Sequence, residues 1–139
     1  MKLYLDASVL VSLLARDALT PRAYCLLRAR TAELLVSDFA AAEFASALGQ
    51  RVRTGELTAE EARAAFANFD VWTAQTTRRI ETTAADVRAA EAFLRRLDLN
   101  LRAPDALHIA VARRMGAVLA TFDEKMAVAV RALGLAVLA

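Results

Sequence analysis

The chain has one cysteine, one histidine, two prolines and four glycines in 139 residues. A single cysteine excludes an internal disulfide and suits a reducing compartment. One cysteine and one histidine also cannot supply the ligands of a structural zinc site. Long hydrophobic runs are missing. The longest stretch without Asp, Glu, Lys or Arg is the nine residues from Ala7 to Ala15, whereas a membrane-spanning helix needs roughly 20. No membrane association is expected, and a cytoplasmic location is. Only Lys2 precedes the first short apolar run, and Asp6 interrupts it, so these residues read as a strand and a turn, not a leader. Lysine is scarce: sixteen of the 18 basic residues are Arg, with a net charge of only +2. Arg favours planar bidentate partners such as phosphate and carboxylate, although a GC-rich genome enriches Arg and Ala alike. No Gly/Ser/Pro-rich linker, repeat or low-complexity block divides the sequence, so residues 1–139 are expected to form one domain.

What the chain does have is enough apolar material for one core. Apolar residues make up 58% of it; 33 are Ala, and 47 are larger. Short apolar runs alternate with helical segments. Strands are expected at Lys2–Leu5, Glu33–Val36, Arg79–Glu81 (weak), Ala117–Ala120 and Leu135–Leu138. Helices are expected from Thr20, as N-cap before Pro21, to about Arg30; from Ser37 or Asp38 to Arg53; and from the capping box Thr58-x-x-Glu61 to about Ala74. Further helices are expected over Thr83–Arg96, Ala103–Met115 and Asp123–Leu133, the last two closed by Gly116 and Gly134. This alternation predicts a three-layer α/β/α fold with a mainly parallel sheet of four to five strands. In such sheets, sites form beyond the carboxyl ends of the strands. That directs attention to Asp6, Ser37-Asp38 and Thr121-Phe122-Asp123.

Most acids have a surface role. Glu91 lies four residues before Arg95, Glu60 and Glu61 open a helix, and Glu33 and Asp86 have Arg close by in sequence. Four acids differ. Asp6 ends an apolar strand. Glu43 lies mid-helix, and its neighbours three and four residues away are Phe39, Ala40, Ser46 and Ala47, none able to pair with it. Asp105 opens the apolar helix Asp-Ala-Leu-His-Ile-Ala-Val-Ala, and Asp123 follows a strand. Taken singly, Asp6, Asp105 and Asp123 could each be a helix cap or first-turn acid; Glu43 caps nothing. A buried carboxylate must pair, protonate or bind a cation. Two carboxylates 4 Å apart repel by roughly 4 kcal/mol at an effective dielectric near 20, so four converging acids call for a counter-ion. All-oxygen ligands select Mg²⁺ or Mn²⁺ over zinc or copper.

Four segments, Tyr4–Leu10, Ser37–Leu48, Asp105–Ala110 and Thr121–Lys125, in this order and with successive acids separated by 37, 62 and 18 positions, resemble a PIN domain of the VapC toxin type. The resemblance runs from Leu3 to about Val137. It implies a metal-dependent endoribonuclease that hydrolyses RNA phosphodiesters with Mg²⁺ or Mn²⁺ held by Asp6, Glu43, Asp105 and Asp123. It also implies a homodimer, a cognate VapB-type antitoxin and a higher toxin–antitoxin complex. Ser8 and Thr121 are candidates to orient the carboxylates. Asp38 is an extra acid beside the site, read chiefly as a helix cap. His108 is read as a packed helix residue, Cys25 as core or dimer contact, and Phe66, Phe69 and Trp72 as core. The antitoxin is expected to present an Arg to the acids and to lie on the helices around Phe39–Val52 and Ala59–Trp72, which are rich in apolar residues.

Three rivals compete. An Asp-nucleophile phosphatase would need a second Asp two residues after the first, where Ser8 stands. A non-catalytic PIN-like interaction module typically loses site acids, and all four are present here. A receiver-like signalling domain could use Lys125 after Asp123, but would leave Glu43 and Asp105 unexplained.

Overall fold

The computed structural model describes residues 1–28 and 31–139. In chain order the elements are β1 (Lys2–Leu5), α1 (Ala7–Leu14), α2 (Thr20–Arg28), β2 (Glu33–Ser37), α3 (Asp38–Arg53) and α4 (Ala59–Thr76). There follow β3 (Thr77–Ile80), α5 (Ala84–Arg95), α6 (Ala103–Arg114), β4 (Val118–Ala120), α7 (Glu124–Ala132) and β5 (Val137–Leu138). All pairings are parallel, and the strand order is β3-β2-β1-β4-β5. β1 is therefore central, with successive strands added on opposite sides of it. The crevice beside its carboxyl end is the place where such a sheet accepts a ligand.

The period-two alternation of the strands divides the core in two. Leu3, Leu5, Val36 and Ala120 pack with Val9, Leu10, Phe44, Leu48 and Phe69, from α1, α3 and α4. Tyr4, Leu35 and Leu119 turn the other way, against Phe93, Ile109, Val111 and Val130 from α5, α6 and α7. Helices thus cover both faces of the sheet, as a buried parallel sheet requires. Among the described residues, no helix is long and apolar enough to cross a membrane.

Local chemistry sets the helix ends. Thr58 and Glu61 form the expected capping box, and Thr83 and Asp86 form a second. Gly116 and Gly134 follow α6 and α7 with φ of +62° and +73°, a conformation that costs glycine no steric penalty.

Several expectations are corrected. Thr20 is not an N-cap but the first residue of α2. Its hydroxyl donates to the Ser12 carbonyl at 2.6 Å and accepts the Asp17 amide at 2.8 Å. The expected end of that helix, at about Arg30, lies outside the described residues. Cys25 is exposed, not core. α4 continues to Thr76 and passes directly into β3, which begins at Thr77 rather than Arg79. The partners of Glu33 and Asp86 are not sequence neighbours but Arg78 and Arg114, 45 and 28 residues away. Phe69 is buried, while Phe66 and Trp72 pack partly buried against the same core.

Candidate active site

Asp6 closes β1 and caps α1. Its backbone N–H bonds the carbonyl of Ala120 at the end of β4, fixing the two strand ends together. Its side chain is 2% exposed. Oδ1 accepts the Ser8 hydroxyl at 2.6 Å and the Val9 amide at 3.1 Å; Oδ2 accepts the Thr121 hydroxyl at 2.5 Å. Burial pushes the Asp6 carboxyl above its ordinary pKa, although Ser8, Thr121 and Val9 all donate to it. The same two hydroxyls also act as acceptors. Thr121 Oγ1 accepts the Asp123 amide and Ser8 Oγ the Phe122 amide, both at 3.0 Å. They therefore tie Asp6 to the backbone that carries Asp123.

Asp123 caps α7. Its Oδ1 accepts the amides of Lys125 and Met126 at 2.9 and 3.1 Å. Asp105 lies in the first turn of α6, where its Oδ2 accepts the Arg102 amide at 3.2 Å. Burial raises the Asp105 carboxyl above its ordinary value, and repulsion from Asp123 and Glu43 adds to this against the Arg102 amide and His108. Glu43, mid-way along α3, finds on another helix the partner its own helix cannot offer. Its Oε1 meets Nε2 of His108 on α6. His108 is buried, and its Nδ1 lies 2.7 Å from the Tyr4 hydroxyl, which lies 2.7 Å from Ser37 Oγ.

These contacts bring Asp6, Glu43, Asp105 and Asp123 into one electrostatic neighbourhood at the carboxyl edge of the sheet. None of the four has a Lys or Arg ion-pair partner among the described residues. Nor do any three Asp, Glu, His or Cys side chains there stand grouped as a ready-made metal cage. Each carboxylate has instead turned at least one oxygen to a protein donor. One oxygen each on Glu43, Asp105 and Asp123 (Oε2, Oδ1 and Oδ2) has no donor among the described residues. The available donors are hard oxygens, beside a buried carboxyl that lacks a cationic partner. That chemistry fits a hard divalent cation.

Asp38 takes a different place. Ser37, not Asp38, caps α3 by accepting the Ala40 amide at 2.9 Å. The exposed Asp38 carboxylate holds Thr82 instead, accepting its amide at 3.0 Å and its hydroxyl at 2.5 Å. It thereby pins the start of α3 to the turn after β3. The residues that sequence reading missed are Tyr4 and the bonded role of His108. The available signals were the one histidine of the chain, on a buried helix three residues after Asp105, and a tyrosine in an otherwise aliphatic strand.

The model of the PIN domain family matches residues 3–131. Ribonuclease VapC46 of Mycobacterium tuberculosis is 31% identical over 140 residues, covering 99% of this chain and 96% of that protein. The solved structure of VapC20 from the same organism, a sarcin–ricin loop cleaving toxin, superposes with a TM-score of 0.75 at 24% identity. It covers 92% of this chain and 95% of its own. VapBC2 of Rickettsia felis, solved bound to a DNA fragment from its promoter, gives a TM-score of 0.72 at 16% identity, covering 99% and 98%. The structural likenesses carry the fold, and the family model and the full-length sequence match carry the membership: the chain belongs to the PIN domain family, among the VapC ribonucleases.

Proposed function

We propose that the whole chain acts as one PIN domain, a cytoplasmic toxin that cleaves RNA with a divalent cation held by Asp6, Glu43, Asp105 and Asp123. The observation that carries this reading is the mutual repulsion of Asp105, Asp123 and Glu43 at the sheet edge that also holds the buried Asp6, with no Lys or Arg ion-pair partner for any of the four among the described residues. When bound there, Mg²⁺ or Mn²⁺ activates water and neutralises charge on a phosphoryl group. The protein's own part is positioning. Ser8, Thr121 and the Val9 amide hold Asp6 in one orientation, and the cap of α7 fixes Asp123. Arg22 on α2 stacks its guanidinium 5.0 Å from the centre of the Phe122 ring, one residue from Asp123. This places a planar cation where it can hold the RNA backbone beside the acids. In the reaction, water adds to phosphorus and one P–O ester bond breaks.

A VapB-type antitoxin is the proposed partner, in keeping with the solved toxin–antitoxin complexes that share this fold. Between α3 and α4 runs a groove of about 420 Å³ lined by Ala41, Ala45, Phe66 and Phe69, with Asp70 and Arg79 at its rim. This suits an apolar segment whose Arg reaches the acids. A second apolar groove, about 510 Å³, is lined by Phe39, Val87, Ala90, Leu94, Pro104 and Leu107. We assign it to the homodimer contact.

The deciding experiment incubates the purified chain with labelled RNA in Mg²⁺, Mn²⁺ or EDTA, beside Asp6→Asn. Cleavage that needs metal and Asp6 supports the reading. Undiminished cleavage in EDTA overturns it.

A further inference from the structure

Glu43 is the odd member of the acidic group. The other three carboxylates cap or open helices and are held by backbone amides of their own segments. Glu43 stands mid-helix, is 30% exposed, and meets one donor among the described residues, Nε2 of His108. The contacts run from Glu43 Oε1 to His108 Nε2, from Nδ1 to the Tyr4 hydroxyl at 2.7 Å, and from there to Ser37 Oγ at 2.7 Å. With Nε2 donating to the carboxylate, the other contacts are satisfied when the Tyr4 hydroxyl donates to Nδ1 and accepts from Ser37. Ser37 Oγ still accepts the Ala40 amide at the start of α3. Each buried side-chain nitrogen and oxygen in the run has a partner. All members except the Glu43 carboxylate are buried, and Phe39 lies against the imidazole with ring centres 5.2 Å apart. The ring is thus held at both nitrogens and on one face.

We infer that Ser37, Tyr4 and His108 form a buried positioning relay that holds one Glu43 oxygen and so keeps the other available to a bound cation. All three are buried beneath the site; His108 is a positioning residue. A free glutamate would lose rotamer entropy on binding an ion, and the relay removes that loss beforehand. Outer partners of ligating groups commonly matter by 10–100-fold in metal affinity. The inference rests on the proposed cation site, and the test separates the two.

Mn²⁺ binding to the full chain is followed by the loss of free-ion signal in electron paramagnetic resonance, without any activity assay. His108→Phe is expected to weaken Mn²⁺ binding by about 10–100-fold, and His108→Gln, which restores an amide donor, to recover most of it. In a Glu43→Gln background, His108→Phe should add no further loss. Because the chain has one histidine, its ¹⁵N spectrum reports this ring alone and should show the hydrogen on Nε2. Should His108→Phe fail to fold, Tyr4→Phe takes its place, with a smaller loss of Mn²⁺ affinity and a shifted tautomer population expected. If Mn²⁺ binds and Asp6→Asn abolishes binding, but the His108 and Tyr4 variants bind normally, the relay is refuted while the cation site stands. Equal losses in the native and Glu43→Gln backgrounds, or a hydrogen on Nδ1, also refute it. Binding of Mn²⁺ that Asp6→Asn leaves unchanged refutes the cation site itself.

Discussion

Asp6→Asn separates charge from hydrogen bonding at the centre of the site. The amide oxygen can keep both bonds of Oδ1, to Val9 N–H and to the Ser8 hydroxyl, so the cap of α1 survives. The amide nitrogen replaces Oδ2 opposite Thr121, inverting one hydrogen bond at a cost of about 1 kcal/mol. Against this, the substitution removes a charge whose burial is unfavourable, as the raised Asp6 carboxyl shows. The two effects offset, and in EDTA the variant should melt at or above the native temperature. Asp6→Ala instead loses the cap on the Val9 amide, about 1 kcal/mol, and leaves the buried Thr121 hydroxyl without its acceptor, about 1–3 kcal/mol. That sums to roughly 2–4 kcal/mol, or about 6–16 °C for a chain of this size. Acidity sharpens the comparison. A raised folded-state value means that the native protein binds this proton more tightly than the unfolded chain does. The stability from that group is complete below the unfolded value near ~3.9 and is lost as pH rises through the folded one. Asn does not titrate, so the advantage of Asp6→Asn should be widest near neutrality and close as pH falls towards about 4. Circular dichroism melts in EDTA across this range, beside an RNA cleavage assay, test both halves. If Asp6→Asn melts as low as Asp6→Ala, the Asp6 charge itself holds the fold together and the reasoning fails.

Mg²⁺ or Mn²⁺ at a hundredfold excess over Kd should stabilise the native chain by about 2.7 kcal/mol; a melting shift that persists in Asp6→Asn would place the ion elsewhere. Asp86 is 2% exposed, and Arg114 holds it through two hydrogen bonds, 2.8 and 2.9 Å long. Because Arg114 is itself about one-third exposed, Arg114→Met should cost about 2–3 kcal/mol, below the full range for breaking a buried pair. Burial opposes the charge of Asp86, but Arg114 and Thr83 outweigh it and hold the carboxyl below its ordinary value. Its contribution is therefore present above ~3.9 and lost as pH falls through the folded value. Urea midpoints of native and Arg114→Met protein should accordingly converge on strong acidification. Metal and antitoxin should compete, so calorimetry of the pair at rising Mg²⁺ should show weakening affinity; affinity unchanged by Mg²⁺ and by loss of the antitoxin's Arg would mean inhibition away from the acids.

What the sequence revealed of this site, and what it hid, follows from the range of the interactions involved. Asp6, Asp105 and Asp123 stand at element ends, and helix caps and strand ends are local features that pattern alone locates. The strand pattern likewise exposed the layers, because alternate residues of β1 and β2 serve opposite cores. Glu43 is conspicuous for lacking a local partner, but the partner lies 65 residues on, and only the sheet, with α3 on one face and α6 on the other, brings the two together at its carboxyl edge. The Asp86–Arg114 pair escaped notice for the same reason. Thr20 misled because a hydroxyl before Pro looks like a cap, while the nearby Ser12 carbonyl and Asp17 amide compete for it. β3 begins before its sequence pattern suggests because α4 runs into it without a turn residue to mark the change.

The hydrogen bond from Thr121 to Asp6 spans 115 residues and joins the residues that follow two neighbouring strands, β4 and β1. Asp6 Oδ1 is held locally by Ser8 and Val9, but Oδ2 finds its donor only when β4 docks beside β1. Closing so long a loop costs entropy before the contact repays it. A chain in which these strands have not yet paired carries Asp6 with one oxygen unaimed, so assembly of the sheet and arming of the acidic edge are a single event.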